Sequence, residues 1–219
     1  MNNNHQKNIV LDLDGTLLDS RRRHTIVLSD CINKINGENS TYRDFDDFIS
    51  YKSEGHTSLS YLQKKGICNI KEIFSLWIKK IEEKEYLKND ELYPDVLEYL
   101  NILKKQYNLF LVTARSNEKN TFWQISYLNL DKCFTEFFVV PNIGNIGDNK
   151  YTAVKSLDID YVIGDTETDY DFAKRFDCTF FPVNYGFRSA TFWKQHVEKS
   201  YENMREIYLQ LTKFNNNNE

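Results

Sequence analysis

Asp12 and Asp14 stand one residue apart at the end of a short apolar run, Ile9-Val10-Leu11, and Gly15-Thr16 follows them. Residues two apart on a strand point to the same face, so the two carboxylates share one site. The glycine and threonine at a tight turn add backbone N–H groups and a hydroxyl suited to an oxyanion. Such a site can hold a divalent cation and deliver one carboxylate as a nucleophile to phosphorus.

Three more polar clusters recur in the same local setting. Thr113-Ala114-Arg115 directly follows the apolar Leu111-Val112, and Gly164-Asp165-Thr166-Glu167-Thr168-Asp169 directly follows Val162-Ile163. Lys150 opens a predicted helix, Tyr151–Leu157, with Lys155 as the alternative cation five residues on. A helix start lies on the sheet edge that carries such sites and Lys155 lies a turn further away, which favours Lys150. Each cluster also has a plain structural use, since Thr113, Asp165 and Thr166 all suit helix caps.

The elements that must position these groups are legible as apolar runs. Asn8–Leu11, Leu109–Val112, Phe137–Val140, Tyr161–Ile163 and Thr179–Val183 are rich in Val, Ile, Leu or Phe without strict alternation. That pattern belongs to strands buried on both faces, as in a parallel sheet. Predicted helices Pro94–Gln106, Glu118–Leu128, Tyr151–Leu157, Tyr170–Phe176 and Thr191–Leu211 alternate with the later strands. The expected fold is α/β, a three-layer Rossmann-like parallel sheet whose strand ends gather the polar clusters at one edge.

The first gap is longer than a crossover requires. About 73 residues, Ser20 to Leu92, separate the first strand from the helix at Pro94. Helical periodicity in Ile26–Ile35, Leu59–Lys65 and Ile70–Glu85 predicts an inserted helical subdomain over residues 20–92, seated above the acidic pair as a cap. Residues 1–19 and 93–219 make the catalytic core.

Bulk properties narrow the partners. The chain has 219 residues, 41% of them hydrophobic, enough to bury a core. A formal net charge of −4 gives no global attraction to nucleic acid or anionic membrane. Cys31, Cys68, Cys133 and Cys178 form no C-x-x-C pair, which fits reduced thiols in a cytoplasmic protein. The start, Met1 to His5, has no charged region leading into an apolar stretch, so no secretory signal is expected, and no run is long enough for a membrane span. Asn2–Asn4 and Asn215–Asn218 are expected to be frayed tails.

Together the four clusters, DLDGT, VTAR, a lone lysine and GDTETD, resemble the motifs of the haloacid dehalogenase superfamily, in its phosphatase branch, over residue 8 to about 187. The insert matches the position of that family's helical (C1) caps. The resemblance implies Asp12 as nucleophile forming an aspartyl-phosphate and Asp14 as general acid/base. Thr113 would bind a phosphoryl oxygen, with Gly15, Thr16, Ala114 and Arg115 beside it, and Lys150 would screen nucleophile and phosphate. Asp165 and Asp169, with Asp12 and the carbonyl of Asp14, would hold Mg²⁺. Some members have Lys-Pro where this chain has Lys150-Tyr151. An enzyme that expels halide has no alkoxide to protonate, so Asp14 favours phosphoryl transfer over dehalogenation.

The reaction so implied is Mg²⁺-dependent hydrolysis of a small phosphorylated metabolite. A phosphomutase or phosphotransferase, and a non-catalytic phosphate binder, share the same motifs. Of the remaining residues, Gly144–Asn149 reads as a flexible connection because no Gly-Lys-Ser/Thr follows. At least two of Arg21, Arg22 and Arg23 are expected to be solvated hinge residues. Lys64 and Lys65 suit a charged helix end, and Trp77, Trp123 and Trp193 suit packing.

Overall fold

A computed structural model describes residues 6–37 and 45–216. The chain runs β1 (Asn8–Leu11), β2 (Leu18–Asp19), α1 (Arg21–Asn36), α2 (Phe45–Ser53), α3 (Ser58–Lys64), α4 (Ile70–Lys80), α5 (Lys84–Leu87) and β3 (Glu91–Leu92). It continues α6 (Val96–Leu103), β4 (Asn108–Ala114), α7 (Glu118–Tyr127), β5 (Glu136–Val140), α8 (Ile146–Val154), β6 (Tyr161–Gly164), α9 (Glu167–Arg175), β7 (Thr179–Pro182), α10 (Ala190–Trp193) and α11 (Met204–Asn216).

Five strands form one parallel sheet in the order β5-β4-β1-β6-β7, with β1 at the centre. Alternate residues of β1 serve opposite layers. Ile9 and Leu11 pack with Leu100 of α6, Ile125 of α7 and Ile207 of α11, whereas Val10 packs with Val154 of α8 and Phe172 of α9. This is the three-layer α/β arrangement that the doubly buried strands require. Leu11 is level with Leu111 and Ile163, so Asp12, Thr113 and Asp165 all leave the sheet at one edge. That edge, where the strand order reverses, is where open parallel sheets bind ligands.

Helices α1 to α5 gather around a separate apolar cluster that includes Val27, Leu28, Ile32, Phe48, Leu62 and Ile73. The chain leaves and re-enters the sheet layer through a two-stranded antiparallel ribbon, Leu18 opposite Leu92 and Asp19 opposite Glu91.

The strands lie within a residue or two of their predicted positions, but several helix bounds differ. Pro94 is not the first residue of α6. Tyr93-Pro94-Asp95-Val96 forms a turn closed by Val96 N–H to Tyr93 O, with Asp95 at φ 64, and the helix starts after it. Asn145 caps α8 by accepting from Asp148 N–H, so the helix begins at Ile146 within the supposed connection. Thr166 caps α9, which begins three residues earlier than expected. The predicted helix Thr191–Leu211 is two helices, because Tyr201 bridges to Val183 and interrupts it. Ile70–Glu85 likewise divides into α4 and α5, and α2 had no sequence reading at all. α11 takes in residues 215–216 of the Asn-rich tail; residues 217–218, Asn2–Asn4 and the first five residues as a whole lie outside the described residues. All four cysteines are free thiols, and no helix among the described residues is long and apolar enough to cross a membrane.

Candidate active site

Asp12, Asp165 and Asp169 converge although they come from β1, the loop after β6 and the first turn of α9. One carboxylate oxygen from each lies within 4.8 Å of the others, and all three residues are buried. Lys150, in the second turn of α8, closes the cluster: its Nζ is 2.5 Å from Asp12 Oδ1 and 2.6 Å from Asp169 Oδ1. Asp169 Oδ2 accepts from the backbone N–H and hydroxyl of Thr166 at 3.1 and 2.8 Å, so a helix cap and a site carboxylate are one residue. Asp165 Oδ2 accepts from Phe187 N–H at 2.7 Å, while its buried Oδ1 has no hydrogen-bond partner among the described residues.

Burying this many carboxylates has an electrostatic consequence. Burial, opposed by Lys150 and reinforced by Asp169, pushes the Asp12 carboxyl up to about 7. Burial with Asp169 and Asp12 pushes Asp165 well above the usual range. Burial opposes the Lys150 charge, but Asp12 and Asp169 outweigh it and raise that group. One lysine does not neutralise three carboxylates, and an unpartnered buried oxygen remains. The donor set, all hard oxygen, fits a magnesium-type cation.

Glycines make room for the cluster. A Cβ on Gly15, whose φ is +81°, would lie 2.0 Å from Asp165 Oδ2. A Cβ on Gly186 would lie 2.2 Å from the Gly15 carbonyl, and one on Gly164 2.3 Å from Asp169 Cβ. Backbone approaches the carboxylates so closely that no side chain fits.

The Asp14 side chain belongs to a different network. Arg115 Nε and Nη2 donate to its two oxygens at 2.7 and 2.8 Å, and Arg23 Nη2 donates to Oδ1. Arg23 also donates to Asp90 Oδ1 at 3.0 Å and to Ile81 O at 3.1 Å. Gln124 joins the two arginine sides, accepting from Arg115 Nη1 at 2.7 Å and donating to Asp90 Oδ2 at 2.8 Å. Burial works against the Asp14 charge, but Arg115 and Arg23 outweigh it and hold the carboxyl below its usual range. Beside this network, the buried Glu82 accepts from the N–H groups of Ser116 and Asn117 at 3.0 and 2.5 Å, at the N-terminus of α7.

The other predicted residues distribute as follows. Thr113 is buried one residue before the end of β4, and Ala114 ends that strand. Thr16 is fully buried, its hydroxyl without a partner among the described residues and its carbonyl accepting from Tyr185 OH at 3.0 Å. The Arg115 guanidinium is directed at Asp14 and Gln124. Lys155 is the exposed C-cap of α8, at the far end of the helix from the cluster.

A family model for haloacid dehalogenase-like hydrolases matches residues 6–177. The chain belongs to that family. Solved structures of similar fold include a haloacid dehalogenase-like family hydrolase from Streptococcus pneumoniae, at TM-score 0.73 and 16% identity over 94% of this chain and 98% of the other. A predicted phosphatase from Clostridium acetobutylicum has TM-score 0.74 and 18% identity over 95% and 100%. A predicted phosphoglycolate phosphatase from Haemophilus somnus has TM-score 0.72 and 21% identity over 94% and 97%. No curated protein matches the chain.

In this haloacid dehalogenase-like hydrolase, Glu82, Asp90 and Gln124 escaped the sequence reading, which singles out Arg23 only as one of three arginines, at least two of them expected to be solvated. Only Arg23 left a signal. It lies four and eight residues before Val27 and Cys31, so a charge sits on the buried stripe of α1. Of its neighbours, Arg22 is exposed as expected and Arg21 pairs with Asp19 through Nε at 2.7 Å. Nothing local marks the others, because their partners are far away in sequence.

Proposed function

We propose that this hydrolase is a Mg²⁺-dependent phosphatase of small organic phosphate esters that works through an aspartyl-phosphate on Asp12. The observation that carries the reading is the bridging of Asp12 and Asp169 by Lys150, with the free oxygen of Asp165 beside them. Solved structures of the same fold described as phosphatases support it.

Asp12 attacks phosphorus, and the bond to the ester oxygen breaks as the new P–O bond forms. Asp14 gives a proton to the departing oxygen and then takes one from the water that hydrolyses the acyl phosphate. Arg23 and Arg115 favour the ionised form of Asp14, which suits the second half; an anionic phosphoryl group brought close opposes their pull in the first. Lys150 screens the nucleophile from the incoming anion, and Thr113 and the Gly15-Thr16 turn supply donors to the phosphoryl oxygens. Asp12, Asp165, Asp169 and the Asp14 carbonyl would hold Mg²⁺, which supplies positive charge at the transferring group when bound.

Residues 20–92 act as the cap over a core of residues 1–19 and 93–219, with the β2–β3 ribbon at the boundary. Their role is to exclude water and to contact the leaving group. The free thiols suit a cytoplasmic enzyme. Asp12→Asn abolishes turnover of p-nitrophenyl phosphate in Mg²⁺ with the melting temperature kept within a few degrees. Near-wild-type turnover by that variant overturns the assignment of the nucleophile.

A further inference from the structure

Arg23, Arg115, Arg188 and Lys150 each pair with a carboxylate of the protein. Arg188 is a fork on Glu167, with both bonds at 2.7 Å. Lys52, in the last turn of α2, is the exception. Its Nζ has no carboxylate within 4.0 Å among the described residues. Instead it lies 3.3 Å from His24 Nδ1 and 4.1 Å from the centroid of the Phe187 ring.

Its surroundings belong to the edge that carries the acidic cluster. Phe187 is the residue whose N–H holds Asp165, and the next residue, Arg188, donates to the Lys52 carbonyl at 2.8 Å. His24 follows Arg23, which grips Asp14, and its ring meets Phe187 edge-on at 4.8 Å and Trp77 at 5.6 Å. Burial, then Lys52 and Arg23, holds the His24 ring well below its usual pKa, so it is neutral. With the ammonium donating to Nδ1, the ring proton is assigned to Nε2, which becomes a donor. The Trp77 indole N–H is buried and has no partner among the described residues.

Three donor groups thus come together from three helices, α1, α2 and α4, on the Asp14 side of the cluster. Asp165 and Asp14 act on Lys52 only from a distance, and no carboxylate among the described residues lies within 4.0 Å of its Nζ. Lys52 is half-buried, and burial together with Arg188, partly offset by Asp165 and Asp14, lowers its ammonium to about 7. The sequence offers no hint, because Lys52 is one of many lysines and α2 was not foreseen.

The geometry points to a second subsite in which Lys52, with the N–H groups of His24 and Trp77, binds an anionic group, a carboxylate or a second phosphate, on the leaving alcohol of the substrate. This rests on the phosphatase reading, which places the leaving oxygen at Asp14. The substrate class is then a short phosphate ester whose alcohol part carries a second anionic group, rather than one whose alcohol part is neutral or cationic.

The test compares kcat/KM in Mg²⁺ for 2-phosphoglycolate, propane-1,3-diol bisphosphate and O-phosphoethanolamine. The wild type prefers one or both anionic esters over the cationic one by about ten- to hundredfold, the two anionic arms telling carboxylate from phosphate. Lys52→Met removes that preference, Lys52→Arg keeps most of it, and Lys52→Glu inverts it. No preference in the wild type, or equal losses on all three esters in Lys52→Met, overturns the subsite. Turnover of p-nitrophenyl phosphate by the wild type tests the phosphatase reading separately. Calorimetric titration of the metal-free wild type with 2-phosphoglycolate and the bisphosphate decides the subsite even if turnover is absent. At least one binds about tenfold more tightly than O-phosphoethanolamine and loses that margin in Lys52→Met. Failure of both to do so overturns the proposal.

Discussion

Arg115 grips both carboxylate oxygens of Asp14 in a fork, at 2.7 and 2.8 Å, across 101 residues of sequence. The fork fixes where the Asp14 carboxylate points, and Gln124 fixes the guanidinium in turn. Positional control of this kind matters most when a proton must be delivered to a poor leaving group. Arg115→Lys keeps the charge and loses the planar fork. Turnover of an alkyl phosphate falls about 10²-fold, whereas p-nitrophenyl phosphate, whose phenolate departs without a proton, loses less than about tenfold. Parallel kinetics on the two esters check this; equal losses would assign Arg115 a structural role only.

The buried carboxyls make stability depend on pH, and on magnesium as well if the cluster holds it as proposed. Asp12 is raised to about 7 and Asp90 to about 6, and Asp165 is raised as well, mainly by burial in each case. Unfolded carboxyls titrate near about 4, so between there and about 7 the folded chain binds more protons than the unfolded one. Metal-free stability therefore falls as pH rises through that window. His24, whose pKa is lowered by burial, works the other way as pH passes the unfolded value of about 6.5, and one ring does not offset three carboxyls. On the proposed assignment magnesium would bind the deprotonated cluster, so its stabilising effect would grow with pH. Thermal melts at about pH 5, 6 and 7.5, with and without Mg²⁺, show a metal-induced rise that is largest at the highest pH. A pH-independent rise counts against this cluster as the seat of the metal.

Gly15 and Gly37 share a positive φ, +81° and +88°, and differ in what surrounds them. Alanine at either position strains the backbone by about 1 kcal/mol. At Gly37 the added methyl meets nothing among the described residues within 4 Å, whereas at Gly15 it collides with Asp165. Gly15→Ala loses the Mg²⁺-induced rise in melting temperature and turnover with it, while Gly37→Ala keeps both at a slightly lower melting point. Titration of each variant with Mg²⁺ separates the collision from the strain.

The strands were legible because the signal is local. A run such as Leu109–Val112 must be apolar on both faces wherever it sits in a doubly covered sheet. Asp12, Asp165 and Asp169 follow such runs or open the next helix, so their meeting at one edge was implied by strand order. The reason that favours Lys150 over Lys155 in the sequence is inexact. Lys150 is not the first residue of α8; it lies one turn in from the Asn145 cap, and that offset carries its side chain to Asp12 and Asp169.

Chain order and residue type alone determined the α/β sheet, the acidic edge and a helical stretch between the first strand and α6. Tertiary structure decided which charges answer one another: Arg23 with Asp14 and Asp90, Glu82 with the start of α7, and Lys52 with no carboxylate within 4.0 Å among the described residues. A strand is specified by the few residues within it, whereas a desolvated charge must find its counter-charge wherever packing brings one. Here those partners lie as far as 67 and 101 residues away, beyond the reach of any local pattern.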